Sequence, residues 1–352
     1  MDLRATESNV QAGPPAGADG EREALLLDVS DLVTRYPIRR GLVGAIRRNP
    51  REFVHAVEGV SFSLRRGEML ALVGESGCGK TTTAQTILRL VDSTSGTIRF
   101  KGEDITSKDQ SDLRPLRRRM QIIYQDPYES LDPRFRVSAT VEEPMLVHGV
   151  GGSRSERRER VVDALSRAEL TPPELYMDRY PHELSGGQRQ RAAIAASLVL
   201  DPELLVADEP VSMLDVSVRA GVLSLLDRLR KDAGLGILMI THDLSTAAHY
   251  ADRIAVMYLG RIVEEGPAKQ VVRNPLHPYT KALLSVVPDR DPRRRRKREI
   301  LRGETPNPVH VPPGCRFHPR CPVAEERCKT IDPALHPPGG IESDHRAACV
   351  LV

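Results

Sequence analysis

The sequence predicts an α/β fold built on a mostly parallel sheet, and two observations support this prediction. Continuous apolar runs, Leu204 to Ala207, Gly236 to Ile240 and Ile254 to Tyr258, alternate with helical segments such as Val218 to Arg230. Strands of this kind are typical of parallel sheets that helices cover on both faces. A further apolar run, Leu70 to Val73, leads into a glycine-rich loop and then into helical spacing.

Length and composition restrict the class of protein. The 352 residues suffice for one large domain with an appendage, or for two domains. The 51 basic and 48 acidic residues nearly balance, which does not resemble a dedicated nucleic-acid binder, so we expect no nucleic acid among the partners. Since no apolar run approaches the roughly 20 residues that cross a bilayer and the N-terminus lacks an apolar signal core, we expect a soluble, cytosolic chain.

The N-terminal part divides into a tail, two strand-like segments and an insert. Residues 1–24 are rich in Gly, Ala, Pro and charge, and we expect a disordered tail because so few apolar groups cannot offset the entropy of ordering. Residues 25–36 and 57–64 have strand patterns. The insert at 37–50 is rich in arginine and is interpreted as a solvated arm, with a membrane-facing basic loop as the alternative.

The glycine-rich loop fits the phosphate-binding pattern GxxxxGK[ST] in its required strand–loop–helix setting. Glycines let backbone N–H groups turn towards a polyphosphate, the following helix presents its positive end, and Lys80 supplies a point charge. The hydroxyl of Thr81 would then meet Mg²⁺. The alternative, a glycine turn before a helix that happens to hold a lysine, is disfavoured by eight constrained positions. The residues predicted to bind the nucleotide here are Gly74, Ser76, Gly77, Cys78, Gly79, Lys80, Thr81 and Thr82.

The segment after this loop alternates strands and helices and then becomes mostly helical. A strand at 96–100 and a basic helix at 113–119 precede a second apolar strand, 120–124, which ends at Gln125. Pro and Asp punctuate residues 126–136, which we therefore expect to form a loop. Residues 137–200 are predicted to be mostly helical.

Two further features carry chemistry. Asp208 and Glu209 directly follow the apolar run that ends at Ala207, and ligands of α/β sheets collect at the carboxyl ends of the strands. Asp208 can hold hydrated Mg²⁺, and Glu209 can accept a proton from the attacking water or orient it. Alone, the pair could simply cap the next helix. Ser185, before two glycines at a helix start, leaves backbone donors free for an anion.

The combination of these motifs resembles the ATP-binding subunit of an ATP-binding cassette (ABC) transporter. Leu184 to Arg191, LSGGQRQR, is similar to the family's signature sequence, and His242 follows a later strand as in that family. The resemblance covers about residues 25–266. It implies a P-loop NTPase (RecA-like) fold, a mostly parallel sheet with an antiparallel β subdomain and an inserted helical subdomain at about 131–195, in a nucleotide-binding domain spanning 25–270.

The resemblance also implies roles for single residues. Glu209, His242 and Gln125 are expected to be catalytic; Thr81, Gln125 and Asp208 are the expected Mg²⁺ ligands, and Asp215 matches the D-loop. Tyr36 is the expected stacking partner of adenine, with Phe53 and His55 as competitors. Without the family, a lone histidine after a strand would more often be structural. In a head-to-tail dimer, the signature residues would close on ATP held by the other subunit; these residues are Ser185, Gly186, Gly187 and Gln188.

The branch of the family is indicated by two segments. Pro275 to Thr280, PLHPYT, and Asp126 to Arg134 resemble the F-type ATPase of dipeptide and oligopeptide importers. The implied partners are a second ATPase subunit of the D type, two transmembrane permease subunits and an extracytoplasmic solute-binding protein, which place the chain peripherally at the cytoplasmic face of the membrane. Import of an oligosaccharide or nickel, a soluble non-transport ATPase, and a non-hydrolysing subunit are the alternatives.

The C-terminal part is expected to hold a linker and a small Cys-rich extension. Residues 271–302 are interpreted as the linker; their basic run 293–298 is either solvated or an anionic-lipid contact. Residues 303–352 contain Cys315, Cys321, Cys328 and Cys349. Two disulfides do not fit a reducing cytosol, whereas thiolates can bind Zn²⁺ or an iron–sulfur cluster. The resemblance favours a [4Fe–4S] cluster; Zn²⁺ and plain thiols are the alternatives.

Overall fold

The computed structural model describes residues 25–38, 51–126, 130–286, 301, 303–340 and 343–352. The predicted disordered tail, most of the basic arm and the basic run 293–298 lie outside the described residues. Residues 127–129 of the predicted loop also lie outside them, and the described residues on either side are mostly irregular, as expected.

The strands of the described residues form two sheets of different character. Their bounds are β1 Leu25–Pro37, β2 Phe53–Arg65, β3 Met69–Val73, β4 Ser95–Phe100, β5 Glu103–Asp104, β6 Met120–Ile123, β7 Leu204–Asp208, β8 Gly236–Thr241, β9 Arg253–Tyr258, β10 Arg261–Pro267 and β11 Arg346–Ala347. A four-stranded antiparallel sheet has the order β2-β1-β4-β5, and a seven-stranded sheet has the order β11-β10-β9-β3-β8-β7-β6.

The seven-stranded sheet determines where the site lies. Strands β9, β3, β8, β7 and β6 pair in parallel, so their carboxyl ends share one edge of the sheet. The residues that follow β3, β6, β7 and β8 all begin at that edge, which is the usual ligand-binding edge of an α/β sheet. The mostly parallel sheet and the antiparallel subdomain that the sequence predicts are confirmed.

Helices pack on the large sheet, and several of them lie between residues 137 and 198. Their bounds are α1 Lys80–Ile87, α2 Gln110–Arg119, α3 Val137–His148, α4 Arg154–Arg167, α5 Glu174–Met177, α6 Gly186–Leu198, α7 Val216–Ala233, α8 Leu244–Tyr250, α9 Ala268–Arg273 and α10 Pro278–Ser285. Local sequence explains several ends: Ser153 caps α4 by accepting from the Glu156 N–H, and Gly149 ends α3 in the left-handed conformation. None of these helices, within the residues described, has the length and apolar character to span a bilayer.

Two apolar clusters hold the fold together, one on each face of the seven-stranded sheet. Alternate residues of β3 divide between them: Met69, Ala71 and Val73 face the cluster of the helical subdomain, whereas Leu70 and Leu72 face the antiparallel sheet. All five are completely buried, as the continuous apolar run predicts.

The C-terminal region differs from the linker and separate extension that the sequence suggests. The described part of the expected linker contains α10 and the end of α9, and Val271 and Tyr279 are completely buried in the main core. In the extension, Phe317 is 1% exposed and packs against Tyr258 and Tyr279, and β11 pairs with β10 at the edge of the large sheet. Cys315 and Cys321 of the extension therefore pack against the main apolar cluster of the nucleotide-binding domain.

Candidate active site

A cleft of about 650 Å³ opens at the carboxyl edge of the parallel strands. It is lined by Tyr36, Val54, Ala56, Ser76, Gly77, Gly79, Lys80, Thr81, Thr82, Gln125, Glu209, His242 and Pro308. An adjoining cleft of about 680 Å³ shares Thr81 and Gln125 with it and also contains Asp208. Residues that lie far apart in the sequence thus surround one connected region.

The phosphate-binding loop runs from the end of β3 to the start of α1. Gly79 has a φ of 109°, and a Cβ there would lie 2.1 Å from the Ala56 carbonyl oxygen, so only glycine fits this close approach. Lys80 is 5% exposed, and its ammonium donates to the carbonyl oxygens of Gly74 at 2.8 Å and Glu75 at 2.9 Å. Gly74 and Cys78 are buried beneath the loop and do not line the cleft.

Asp208 lies at the end of β7, beside the first turn of α1. The Thr81 hydroxyl donates to its Oδ1 at 3.3 Å. Burial, reinforced by the neighbouring Glu209, raises the pKa of Asp208 above the usual carboxyl range. A hydroxyl and a carboxylate at this separation supply the oxygen donors that Mg²⁺ prefers, and Gln125 in the shared clefts adds an amide oxygen.

Glu209 is the point at which the predicted catalytic residues meet. Its backbone lies in the left-handed region, with a φ of 44°, and its N–H donates to the Ile240 carbonyl of β8 at 3.0 Å. The Gln125 amide donates to Glu209 Oε2 at 3.3 Å, and His242 Nδ1 lies 3.1 Å from the same oxygen. The structure therefore groups Gln125, Glu209 and His242 around one carboxylate.

Tyr36 lies at the other end of the cleft, near the end of β1. Its side chain is 37% exposed and lines the cleft together with Val54 and Ala56 of β2. The two competing residues, Phe53 and His55, are not among the residues lining the cleft, and His55 Nδ1 lies 2.7 Å from Glu58. Of the three candidates, Tyr36 is therefore the one that lines the cleft.

The signature residues form a helix start away from this cleft. The Ser185 hydroxyl accepts from the Gln188 N–H at 3.3 Å, and the Gln188 side chain accepts from the Ser185 N–H at 2.9 Å, a reciprocal cap of α6. Gly187 packs so closely that a Cβ would lie 2.4 Å from Val218 of α7. Neither these residues nor Asp215, exposed at the start of α7, line the cleft that contains Lys80.

The structure describes all four C-terminal cysteines, of which Cys328 and Cys349 are buried. Burial, with the nearby thiols of the other three, raises the pKa of Cys315 to about 11, and its N–H donates to the Cys328 carbonyl at 2.9 Å. All four, and the buried Cys78, are free thiols. Among the described residues, no group of three or more His, Cys, Asp or Glu forms a site for a metal ion.

Sequence reasoning missed several residues that contact the cleft or its loop. Pro308 of the extension lines the cleft, and the Tyr279 hydroxyl accepts from the Glu75 N–H at 2.9 Å. Arg320 forms an ion pair with Glu75. No local sequence motif marks these contacts.

Comparison with known proteins agrees with this geometry. The family model described as "ABC transporter" matches residues 57–212, and the model described as "Oligopeptide/dipeptide transporter, C-terminal region" matches residues 263–328. The second match covers α10 and the part of the C-terminal region that contains Cys315, Cys321 and Cys328.

Two curated relatives and one solved structure illustrate the similarity. The chain is 46% identical over 310 residues to the dipeptide transport ATP-binding protein DppF of Haemophilus influenzae, covering 88% of this chain and 92% of that protein. It is 48% identical over 307 residues to the oligopeptide transport ATP-binding protein AppF of Bacillus subtilis, covering 86% and 91%. The ATP-binding cassette MJ0796, in a dimeric post-hydrolysis state with ADP and Pi, superimposes with a TM-score of 0.60 at 27% identity, covering 69% of this chain and 99% of that one.

Fold, cleft and comparisons lead to one assignment. Identity at this level over most of both chains establishes the family, and the two adjoining clefts contain the expected phosphate loop, Glu209 and Asp208. The chain belongs to the ATP-binding proteins of ABC transporters, in the dipeptide and oligopeptide transport branch, and is an ATPase of that type.

Proposed function

We propose that this chain is the ATP-hydrolysing subunit of an importer of dipeptides and oligopeptides. The observation that supports hydrolysis most directly is the convergence of Gln125 and His242 on the Glu209 carboxylate, inside the cleft that holds Lys80. The peptide substrate rests on the similarity to dipeptide and oligopeptide transport proteins.

Each residue has a task that its position permits. Lys80 exchanges its two loop carbonyls for phosphate oxygens, because both offer a partial or full negative charge at the same place. Glu209 accepts the proton of the attacking water, and Gln125 and His242 hold its carboxylate and the water in line. Mg²⁺ held by Thr81, Gln125 and Asp208 would neutralise charge on the phosphates.

The signature residues serve a second subunit in this proposal. Ser185 is exposed at the helix start, and none of the signature residues lines the cleft of its own chain. Two apolar side chains nearby, Met213 at 60% exposed and Val216 at 80% exposed, flank Asp215 and would be covered in a head-to-tail dimer. The dimeric state of the related cassette MJ0796 supports this arrangement.

The complete assembly contains further chains. The second ATPase is expected to be a D-type paralogue, and two permease subunits and an extracytoplasmic solute-binding protein complete the importer. The chain then lies peripherally at the cytoplasmic face of the membrane. This assembly rests on the family relationship, because a cassette can drive transport only through a membrane-spanning partner.

Reconstitution of the complete complex in proteoliposomes tests the proposal. With its binding protein present, we expect MgATP-dependent uptake of a labelled dipeptide or oligopeptide. Ser185→Arg in this chain should abolish uptake, because the side chain would occupy the space that the second subunit's nucleotide needs, yet it should leave nucleotide binding by the isolated chain unchanged.

Each arm of this experiment can contradict a separate part of the proposal. Uptake of an oligosaccharide or nickel in place of peptides would contradict the assignment of peptides as the transported solute. Full uptake with Ser185→Arg would contradict the proposed head-to-tail dimer of ATPase subunits. Ser111→Arg, also exposed and near the start of α2, is the matched control for added bulk and charge.

For the C-terminal cysteines we infer a [4Fe–4S] cluster. The donor set fits in chemistry: four free thiols lie close enough to influence one another's ionisation, and Cys328 and Cys349 are buried. The preference for a cluster over a single Zn²⁺ rests on the resemblance to the dipeptide and oligopeptide importer branch. The four thiolates would hold the cluster, and the cluster would cross-link the segments that carry them.

Anaerobic purification of the full chain tests this inference. We expect about four iron and about four sulfide ions per chain, lost in Cys321→Ser and retained in Cys78→Ser, because Cys78 lies apart in the phosphate loop. Zinc in place of iron would establish the alternative ligand, and the absence of both metals would leave plain thiols; either result would overturn the cluster.

A further inference from the structure

The segment 303–321 of the extension lies against the nucleotide site. Pro308 lines the cleft at the end that contains Tyr36 and Val54. Its carbonyl oxygen accepts from the His55 N–H of β2 at 3.0 Å, which fixes the segment to the strand that forms this end of the cleft. The proline ring therefore lines the end of the cleft that also contains Tyr36 and Val54.

The same segment is bound to the phosphate loop by hydrogen bonds to the Glu75 carboxylate. Arg320 donates to both carboxylate oxygens, at 2.8 and 3.2 Å, and the Thr305 hydroxyl donates to Glu75 Oε2 at 3.0 Å. Arg320 is held in place by the ring of Tyr258, which lies 5.9 Å from its guanidinium carbon, and its side chain is only 9% exposed. A bidentate pair in such a setting fixes geometry as well as charge.

Glu75 contacts both Arg320 of the extension and Lys80, the lysine proposed to bind phosphate. Its backbone carbonyl accepts from the Lys80 ammonium at 2.9 Å, and its N–H donates to the Tyr279 hydroxyl. Its carboxylate would repel a triphosphate on the same loop if it were unpaired. Arg320, together with Thr305, favours the ionised carboxylate and lowers the pKa of Glu75 despite its partial burial, and the guanidinium supplies the compensating charge.

We propose that the C-terminal extension is a working part of the ATP site: Pro308 forms a wall of the base pocket, and Arg320 is a positioning residue that orients and neutralises the phosphate loop through Glu75. This inference rests on the nucleotide site proposed above. It assigns two separable effects, one on the base and one on the phosphates, to a region outside the motifs of the nucleotide-binding domain.

Displacement of trinitrophenyl-ATP from the purified full chain, by MgATP and by magnesium tripolyphosphate, separates the two effects. Pro308→Gly should weaken MgATP binding about fourfold, as expected for losing one buried methylene contact, and leave tripolyphosphate binding unchanged because that ligand has no base. Pro313→Gly, at an exposed proline of the same segment, is the control.

Arg320→Gln should weaken both ligands about tenfold, because it leaves Glu75 as an uncompensated negative charge. Glu75→Gln combined with Arg320→Gln should restore most of that loss, since the repelling charge is then gone. A purely structural role for Arg320 would make the double variant no better than the single one. Arg327→Gln, which removes an exposed ion pair of the extension, is the control.

Lys80→Ala distinguishes failure of this inference from failure of the site itself. If Lys80→Ala leaves both ligands bound, the nucleotide site is wrongly placed. If Lys80→Ala abolishes binding but Pro308→Gly and Arg320→Gln behave as their controls do, the extension is not part of the site and the inference is overturned.

Discussion

Glu209→Gln is expected to slow ATP hydrolysis by at least about a hundredfold while ATP still binds. The amide has the shape of the carboxylate but cannot accept the proton of the attacking water. Its contacts with Gln125 and His242 can largely be kept, since Oε2 is the atom that both approach. The result would be an ATP-loaded chain that does not turn over.

Phosphate release by the reconstituted complex and ATP affinity of the same variant are the two measurements. Glu174→Gln, at an exposed carboxylate of the helical subdomain, is the matched control and should hydrolyse ATP normally. Turnover within a few-fold of the unaltered complex would show that Glu209 is not the base, and equal turnover would favour a non-hydrolysing subunit.

Lys80→Ala is expected to weaken MgATP binding by about a hundredfold. The ammonium is 5% exposed, so its interaction with phosphate is poorly screened, and each hydrogen bond to a charged group contributes about 1.5–3 kcal/mol. The substitution also removes the donor that satisfies the Gly74 and Glu75 carbonyl oxygens. Calorimetric titration of the isolated chain with MgATP measures the loss.

Thermal unfolding without nucleotide separates lost affinity from a damaged loop. A small shift in Tm, beside a large loss of affinity, is the expected pattern, because water can solvate the two freed carbonyl oxygens. Lys231→Ala, at a 61% exposed ammonium of α7, should change neither quantity. Retention of near-normal ATP affinity by Lys80→Ala would remove the basis of the proposed site.

Local sequence was sufficient for the elements that depend on short-range patterns. The phosphate loop follows from eight neighbouring positions, and the cap at Ser185 follows from Ser and Gln three residues apart. The buried parallel strands follow from runs of apolar residues that no amphipathic strand would carry. In each case the physical cause acts between residues that are close in the chain.

Local sequence patterns could not predict which residues the sheet brings into contact. The family resemblance named Gln125, Glu209 and His242, but their meeting at one carboxylate results from the order β3-β8-β7-β6, which places three strand ends side by side. Residues 271–286, most of the described part of the segment 271–302 that the sequence suggests is a linker, show the same dependence on tertiary structure. A short apolar helix with prolines looks irregular in the sequence, and only the core that buries Tyr279 makes it part of the domain.

By itself, the sequence determined that this chain binds a nucleotide on a phosphate loop in an α/β domain, because glycine geometry and apolar periodicity are local properties of the chain. Only the tertiary structure decided that the extension is continuous with that domain. Arg320 and Glu75 are 245 positions apart, and no periodicity extends that far. Their pairing depends on which surfaces pack together. The packing of Phe317 against Tyr258 and Tyr279, which only the complete fold brings about, determines those surfaces.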